Sequence, residues 1–121
     1  MSRINTRYLG LELESPIIAG SSNFTSKVES IAEAEAAGAG AVVLKSLFEE
    51  QIVSMAHSMS SRESYPEADD YLQYYTRTNS VETYLDLVAR ARKSVRIPVI
   101  ASINCFSPKG WIDFAVEIEK A

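Results

Sequence analysis

Two short apolar runs, each opened by a proline, constrain this chain more than any other feature: Pro16-Ile17-Ile18-Ala19-Gly20 and Pro98-Val99-Ile100-Ala101-Ser102-Ile103. Each is too brief for a helix and lacks the polar alternation of a half-exposed strand, so each reads as a strand buried on both faces, as in parallel sheets. A third run of the same kind, Ala41-Val42-Val43-Leu44, ends at Lys45. Between the runs, the apolar period changes to that of a helix.

The first helix is expected to open at Ser26-Lys27-Val28-Glu29, which has capping-box spacing: the Ser26 hydroxyl accepts from the Glu29 amide and the carboxylate reaches back. Val28, Ile31, Ala32 and Ala36 then recur at helical spacing. Gly38 is placed to take a left-handed conformation just after the helix, which therefore ends near Ala37. Ser80 can cap a second helix, in which Val81, Tyr84, Leu85, Val88, Ala91 and Val95 follow the i, i+3, i+4, i+7 rule. Ser107-Pro108 supplies a cap and a first-turn proline for a third, carrying Trp111, Ile112, Phe114, Ala115 and Ile118. Ahead of all these, residues 8–14 alternate around Gly10 and predict a two-stranded ribbon turning at that glycine.

The pattern degrades across residues 46–79. Leu47, Phe48, Ile52, Val53 and Met55 suit a short helix, but residues 58–70 are polar and include Pro66, which predicts an unusually long connection. Tyr71, Tyr74 and Tyr75 then form an aromatic cluster in a loop, with two readings: packing over the sheet's mouth or an interface. His57 has no neighbour at metal-ligand spacing and reads as a loop histidine. The acidic pairs Glu49-Glu50 and Asp69-Asp70 read as solvated charge, because adjacent residues do not share a helical face.

Three buried strands alternating with helices make an α/β chain with parallel pairing, either an open doubly wound sheet or an arc of a barrel. Periodicity does not choose between them. Both place ligands at the carboxyl ends of the strands, here residues 20–23, Lys45-Ser46 and residues 104–107. The 121 residues suit one domain. A net charge of −4, with basic residues scattered along the chain, carries no footprint for nucleic acid, so small-molecule or protein partners are expected. No apolar run approaches a membrane span, and Met1-Ser2-Arg3-Ile4-Asn5-Thr6-Arg7 is followed by no signal-like apolar stretch; a soluble, cytoplasmic protein is expected. One cysteine, Cys105, makes no internal disulfide and reads as a structural thiol. No metal site is expected. Gly20-Ser21-Ser22 is either a strand-to-helix turn or a phosphate cradle.

Five stretches together resemble the N-terminal third of the dihydroorotate dehydrogenase family, which shares its barrel with dihydropyrimidine dehydrogenase. They are residues 8–14, Pro16-Ile17-Ile18-Ala19-Gly20-Ser21, Gly38-Ala39-Gly40-Ala41-Val42-Val43-Leu44-Lys45-Ser46, Asn79-Ser80-Val81-Glu82-Thr83-Tyr84-Leu85 and residues 98–111. The third, with lysine and a small hydroxyl residue ending the second strand, is the most specific.

The resemblance implies about three β/α units of a (β/α)8 TIM barrel, preceded by the β-ribbon, in an FMN-dependent oxidoreductase of pyrimidine metabolism. Such an enzyme transfers hydride between a dihydropyrimidine-type small-molecule substrate and flavin. It places Ala19, Gly20, Lys45 and Ser46 against the cofactor and gives Lys45 the catalytic role, a fixed cation beside the negative charge that flavin reduction develops. Small residues at Ala19 and Gly20 let the backbone approach the ring.

The family's Asn-x-Met-Gly-Leu-like run is replaced here by Gln73-Tyr74-Tyr75-Thr76-Arg77-Thr78, which argues against dihydroorotate itself as substrate. The family's general base, a cysteine or serine after the fourth strand, falls beyond Ala121, and Cys105 is not that residue. The phosphate-binding loops of such barrels follow strands seven and eight. Residues 1–121 therefore read as a truncated barrel portion, inactive and weak in FMN binding by itself. The alternative is a noncatalytic α/β unit that pairs with another copy through exposed edge strands, and a homo-oligomer is expected.

Overall fold

The computed structural model describes residues 4–49 and 66–121, with backbone only for residues 66–79. The chain begins with the expected ribbon: β1 (Thr6–Tyr8) pairs antiparallel with β2 (Leu11–Leu13), Arg7 facing Glu12. The turn is made by Leu9 at φ 53° and Gly10 at φ 77°. Two successive left-handed residues match the twist of a hairpin, but only glycine adopts that conformation without a Cβ penalty. Leu9 is 69% exposed, so its side chain returns little packing for the strain. Leu9→Asn is expected to stabilise the protein by about 0.5–1 kcal/mol, read as a higher urea midpoint with unchanged slope.

A three-stranded parallel sheet follows. It contains β3 (Ile18–Ala19), β4 (Ala41–Val43) and β6 (Val99–Ile100), in the order β3-β4-β6. Ile18 pairs with Ala41 and Ala19 with Val42; Val42 and Val43 pair with Val99 and Ile100. The middle strand carries the core: Ala41 and Val42, with Leu44 just past the strand, are fully buried. That burial explains why this run is continuously apolar, since a central parallel strand is covered on both faces.

Between β3 and β4 lie a 3-10 turn (Phe24–Ser26) and α1 (Val28–Ala36). The capping box does not form. Lys27 is extended, at φ −125° and ψ 135°, so the helix begins two residues after Ser26, whose hydroxyl donates instead to the Asn23 carbonyl at 2.6 Å. The helix ends where expected. Gly38 has φ 103°, its amide bonds to the Glu35 carbonyl and that of Ala39 to the Ala34 carbonyl, a Schellman pair that satisfies two orphan carbonyls.

The second helix is longer than the sequence pattern implies. As α2 it runs Pro66–Ser94, so Ser80 lies inside it and caps nothing, and Tyr71, Tyr74 and Tyr75 are helical rather than in a loop. Straight-chain residues such as Glu67, Leu72, Gln73 and Arg77 favour the helix through a polar stretch with no apolar stripe to announce it. Leu47 and Phe48, expected in a helix, form β5 (Leu47–Phe48) and pair parallel with β7 (Ile103–Asn104). The expected strand over residues 98–103 is therefore broken at Ala101-Ser102, one piece in each sheet. Ile52, Val53, Met55, His57, Met59 and the rest of the expected connection up to residue 65 lie outside the described residues.

The chain divides into two units. One combines the chain up to Ser46 with Leu87–Ser102; the other combines Leu47–Asp86 with Ile103–Ala121. The first has Ile31, Leu44, Val88, Ala91 and Val95 in its core. In the second, Cys105 and Phe114 are buried against Leu47, Val81 and Ile103, which makes Cys105 a core thiol as expected.

The second unit ends in α3 (Pro108–Lys120), where Ser107 Oγ accepts from the Gly110 amide at 3.0 Å and Pro108 holds the first helical position. Glu49, read above as solvated charge, is 5% exposed and caps the same helix. Its Oε2 accepts from the amides of Phe106 (2.9 Å) and Ser107 (3.2 Å), and its Oε1 from Ser107 Oγ (2.8 Å). The correction has a plain cause: the first turn of α3 has no acidic residue of its own, and a helix N-terminus favours an anion. Gly110 leaves room for it, since a Cβ there would lie 2.9 Å from Glu49 Oε2.

Candidate functional site at the carboxyl ends of the parallel strands

In the first unit, each of the three parallel strands is followed by a segment that contains polar residues. After β3 the chain continues Gly20-Ser21-Ser22-Asn23; after β4 come Leu44, Lys45 and Ser46; after β6 come Ala101 and Ser102. The strand order β3-β4-β6 sets these ends side by side.

The loop after β3 is held from beneath by Thr25, whose side chain is fully buried. Thr25 Oγ1 accepts from the Ser22 amide at 3.2 Å and donates to the Ser22 carbonyl at 3.1 Å, with the Gly20 carbonyl at 3.5 Å. The amides of Thr25 and Ser26 bond to the carbonyls of Ser22 and Asn23. These bonds turn the amides of Ser22, Thr25 and Ser26 into the loop, so Gly20-Ser21-Ser22 opens a hydrogen-bonded turn.

Above this base, Lys45 Nζ donates to Asn23 Oδ1 at 2.6 Å. Lys45 is exposed, and an ammonium has three donors, so this bond fixes its position while leaving two for a ligand. Beside it runs a row of hydroxyls. Ser46 Oγ lies 3.1 Å from Ser21 Oγ on one side and 2.5 Å from Ser102 Oγ on the other. Ala19 is half-buried at the end of β3, and a Cβ added to Gly20 would meet no atom within 4 Å, so the space before that backbone is open.

All four residues expected at the cofactor, Ala19, Gly20, Lys45 and Ser46, thus lie on neighbouring strand ends. Three partners were not singled out for a role: Asn23, Ser21 and Ser102. The rule that ligands meet carboxyl ends of strands covers Asn23 and Ser21 but, from sequence, places the third end at residues 104–107. A serine two residues past the Val99-Ile100 pair was the available signal, obscured because the apolar run continues to Ile103.

Chemically, the cluster offers one exposed cation, three hydroxyls and an amide around an open backbone face. It suits a planar polar group with a negative or electron-rich edge. Among the described residues, no group of three or more histidine, cysteine or acidic side chains could hold a metal ion, and no helix is long and apolar enough to cross a membrane. No family model, curated protein or solved structure gives a significant match to the chain.

Proposed function

We propose that this chain is the N-terminal arc of an FMN-binding (β/α)8 barrel, part of a cytoplasmic oxidoreductase of the dihydroorotate dehydrogenase-like type acting on a dihydropyrimidine-type substrate. The observation that carries the reading is Lys45: an exposed ammonium held by Asn23 at the end of the middle parallel strand, beside Ser46 and the open face of Gly20. Consecutive strands adjacent in the order β3-β4-β6 are what a barrel arc requires.

The residues present fit a flavin. Open space at Gly20 accommodates a ring against backbone, and Lys45 and Ser46 supply a cation and a hydroxyl for an edge that gains negative charge. The flavin would supply hydride acceptance and release at its N5. The chain's own work is electrostatic: Lys45 stays where charge develops, and its bond to Asn23 spares the reorganisation a free lysine would need. In this reading the general base and the phosphate-binding loops are not among these residues, so the chain alone binds FMN weakly and turns nothing over.

A homo-oligomer belongs to the same proposal, supported by Trp111, Ile112 and Val116, large apolar side chains left exposed on α3. The alternative, a noncatalytic unit pairing through edge strands, gains nothing from exposed helix residues and lacks any use for the Lys45 cluster.

The test is titration with FMN up to millimolar concentration, followed by flavin absorption and fluorescence together with solution mass. A perturbed flavin spectrum is expected. Lys45→Ala is expected to weaken binding at least tenfold, since a charge-assisted hydrogen bond contributes about 1.5–3 kcal/mol. A free-flavin spectrum throughout, with a dimeric or larger mass, would favour the noncatalytic reading.

A further inference from the structure

We infer that Ser21 and Ser102 are positioning residues that turn Ser46 into a polarised donor aimed at the electron-rich edge of the ligand beside Lys45. The inference rests on the flavin reading of the site and goes beyond it, because neither serine is assigned any contact with the cofactor.

Hydrogen-bond counting singles out Ser46. A serine hydroxyl donates once and accepts twice. Ser46 Oγ is the middle member of the row, with a hydroxyl within hydrogen-bond reach on each side. Three hydroxyls carry three protons and the two links use two, so one proton is always directed outside the row. When Ser21 and Ser102 both donate to Ser46, both acceptor positions of Ser46 are filled and the outward proton is its own. That arrangement is favoured when an acceptor stands in front of Ser46, and it is cooperative: each hydroxyl that donates to Ser46 makes its proton a stronger donor.

The three hydroxyls follow three different strands, and Ser46 lies 25 residues from Ser21 and 56 from Ser102. Their meeting therefore reports the register of the parallel sheet and no local turn. The 2.5 Å link to Ser102 is part-buried, which screens it from water, while Ser21 is exposed at the loop edge. Lys45, next to Ser46 in sequence, brings its cation to the same strand end. A full charge and a polarised neutral donor together favour a ligand edge whose negative charge increases, so the pair discriminates between redox states of a ring more than between rings.

The test compares the full chain with Ser102→Ala, Ser21→Ala and Ser102→Thr, measuring FMN dissociation constants for the oxidised and fully reduced forms, with thermal unfolding as a control for folding. Ser102→Ala is expected to weaken reduced FMN about tenfold more than oxidised FMN. That ratio equals a shift of about 30 mV toward more negative potential for a two-electron couple. Ser21→Ala is expected to act in the same direction and less strongly, and Ser102→Thr, which keeps the hydroxyl, to restore most of the ratio. Equal weakening of both forms, or none, in a chain that binds FMN overturns the inference and leaves the flavin reading standing. Absence of binding of either form to the unsubstituted chain overturns both.

Discussion

Replacing Glu49 with alanine is expected to cost about 3 kcal/mol, a loss on the scale of truncating a core side chain. Three donors, the amides of Phe106 and Ser107 and the Ser107 hydroxyl, would lose their acceptor at once in a part-buried setting. A hydrogen bond to a charged group contributes about 1.5–3 kcal/mol, and a buried donor left without a partner costs about 1–3 kcal/mol. The carboxylate also faces the positive end of the α3 dipole, in a helix whose own first turn contains no acid. Glu49→Gln separates the two contributions: it keeps an acceptor oxygen and most of the volume but removes the charge, and should cost about 1–2 kcal/mol. Denaturant unfolding followed by helix content and by the fluorescence of Trp111, which lies on α3, would measure both. A loss below about 0.5 kcal/mol for the alanine variant, typical of an exposed residue, would show that the carboxylate is solvated after all.

Gly40→Ala is expected to be as damaging in the first unit, by a different route. A Cβ at position 40 would stand 2.0 Å from the Ser15 carbonyl oxygen and 2.9 Å from its carbon. Those are backbone atoms, so no rotamer change relieves the contact. The same residue anchors the start of β4, its amide bonding to the Ile17 carbonyl at 2.8 Å. Moving the backbone away would stretch that bond and disturb the pairing of Ile18 with Ala41. Overpacking costs about 1–3 kcal/mol where side chains can shift; with backbone on both sides the upper end, about 3 kcal/mol, is expected as a lower urea midpoint. Gly20→Ala is the matched control for the fold, because a Cβ there meets nothing within 4 Å. That variant should unfold like the parent while losing flavin affinity, which separates damage to the sheet from occupation of the open face.

Neither effect is visible in the sequence, and the reason is common to both. Glu49 meets its partners across 57 and 58 residues, and Gly40 meets Ser15 across a strand crossover. Periodicity and capping rules operate over about four residues. Within that range the sequence was a good guide. The ribbon turning at Gly10, the end of α1 at Gly38 and the Ser107-Pro108 opening of α3 all appear where local chemistry puts them. The exceptions within that range are also instructive. Ser26 has a capping-box sequence, yet an extended Lys27 moves the helix start past it; Ser80 looks like a cap, yet a polar stretch with ordinary helix propensity continues the helix through it.

The candidate site divides along the same line. Gly20, Lys45 and Ser46 stand out in the sequence because parallel strands collect ligands at their carboxyl ends, whereas Ala19 is singled out by the family resemblance alone. The identity of the partners does not stand out. Asn23 holds Lys45, and Ser21 and Ser102 flank Ser46, only because the order β3-β4-β6 and its register bring these three strand ends together.

The sequence by itself determined the α/β class, the three apolar runs and the polar residues that follow them, since each of these depends on side-chain period and turn chemistry along a few consecutive residues. Only the tertiary structure decided where the third run breaks between two sheets, which carboxylate is buried under α3, and which hydroxyls share protons. Those outcomes depend on strand register, and a shift of one residue in register would turn every side chain of a strand to its opposite face.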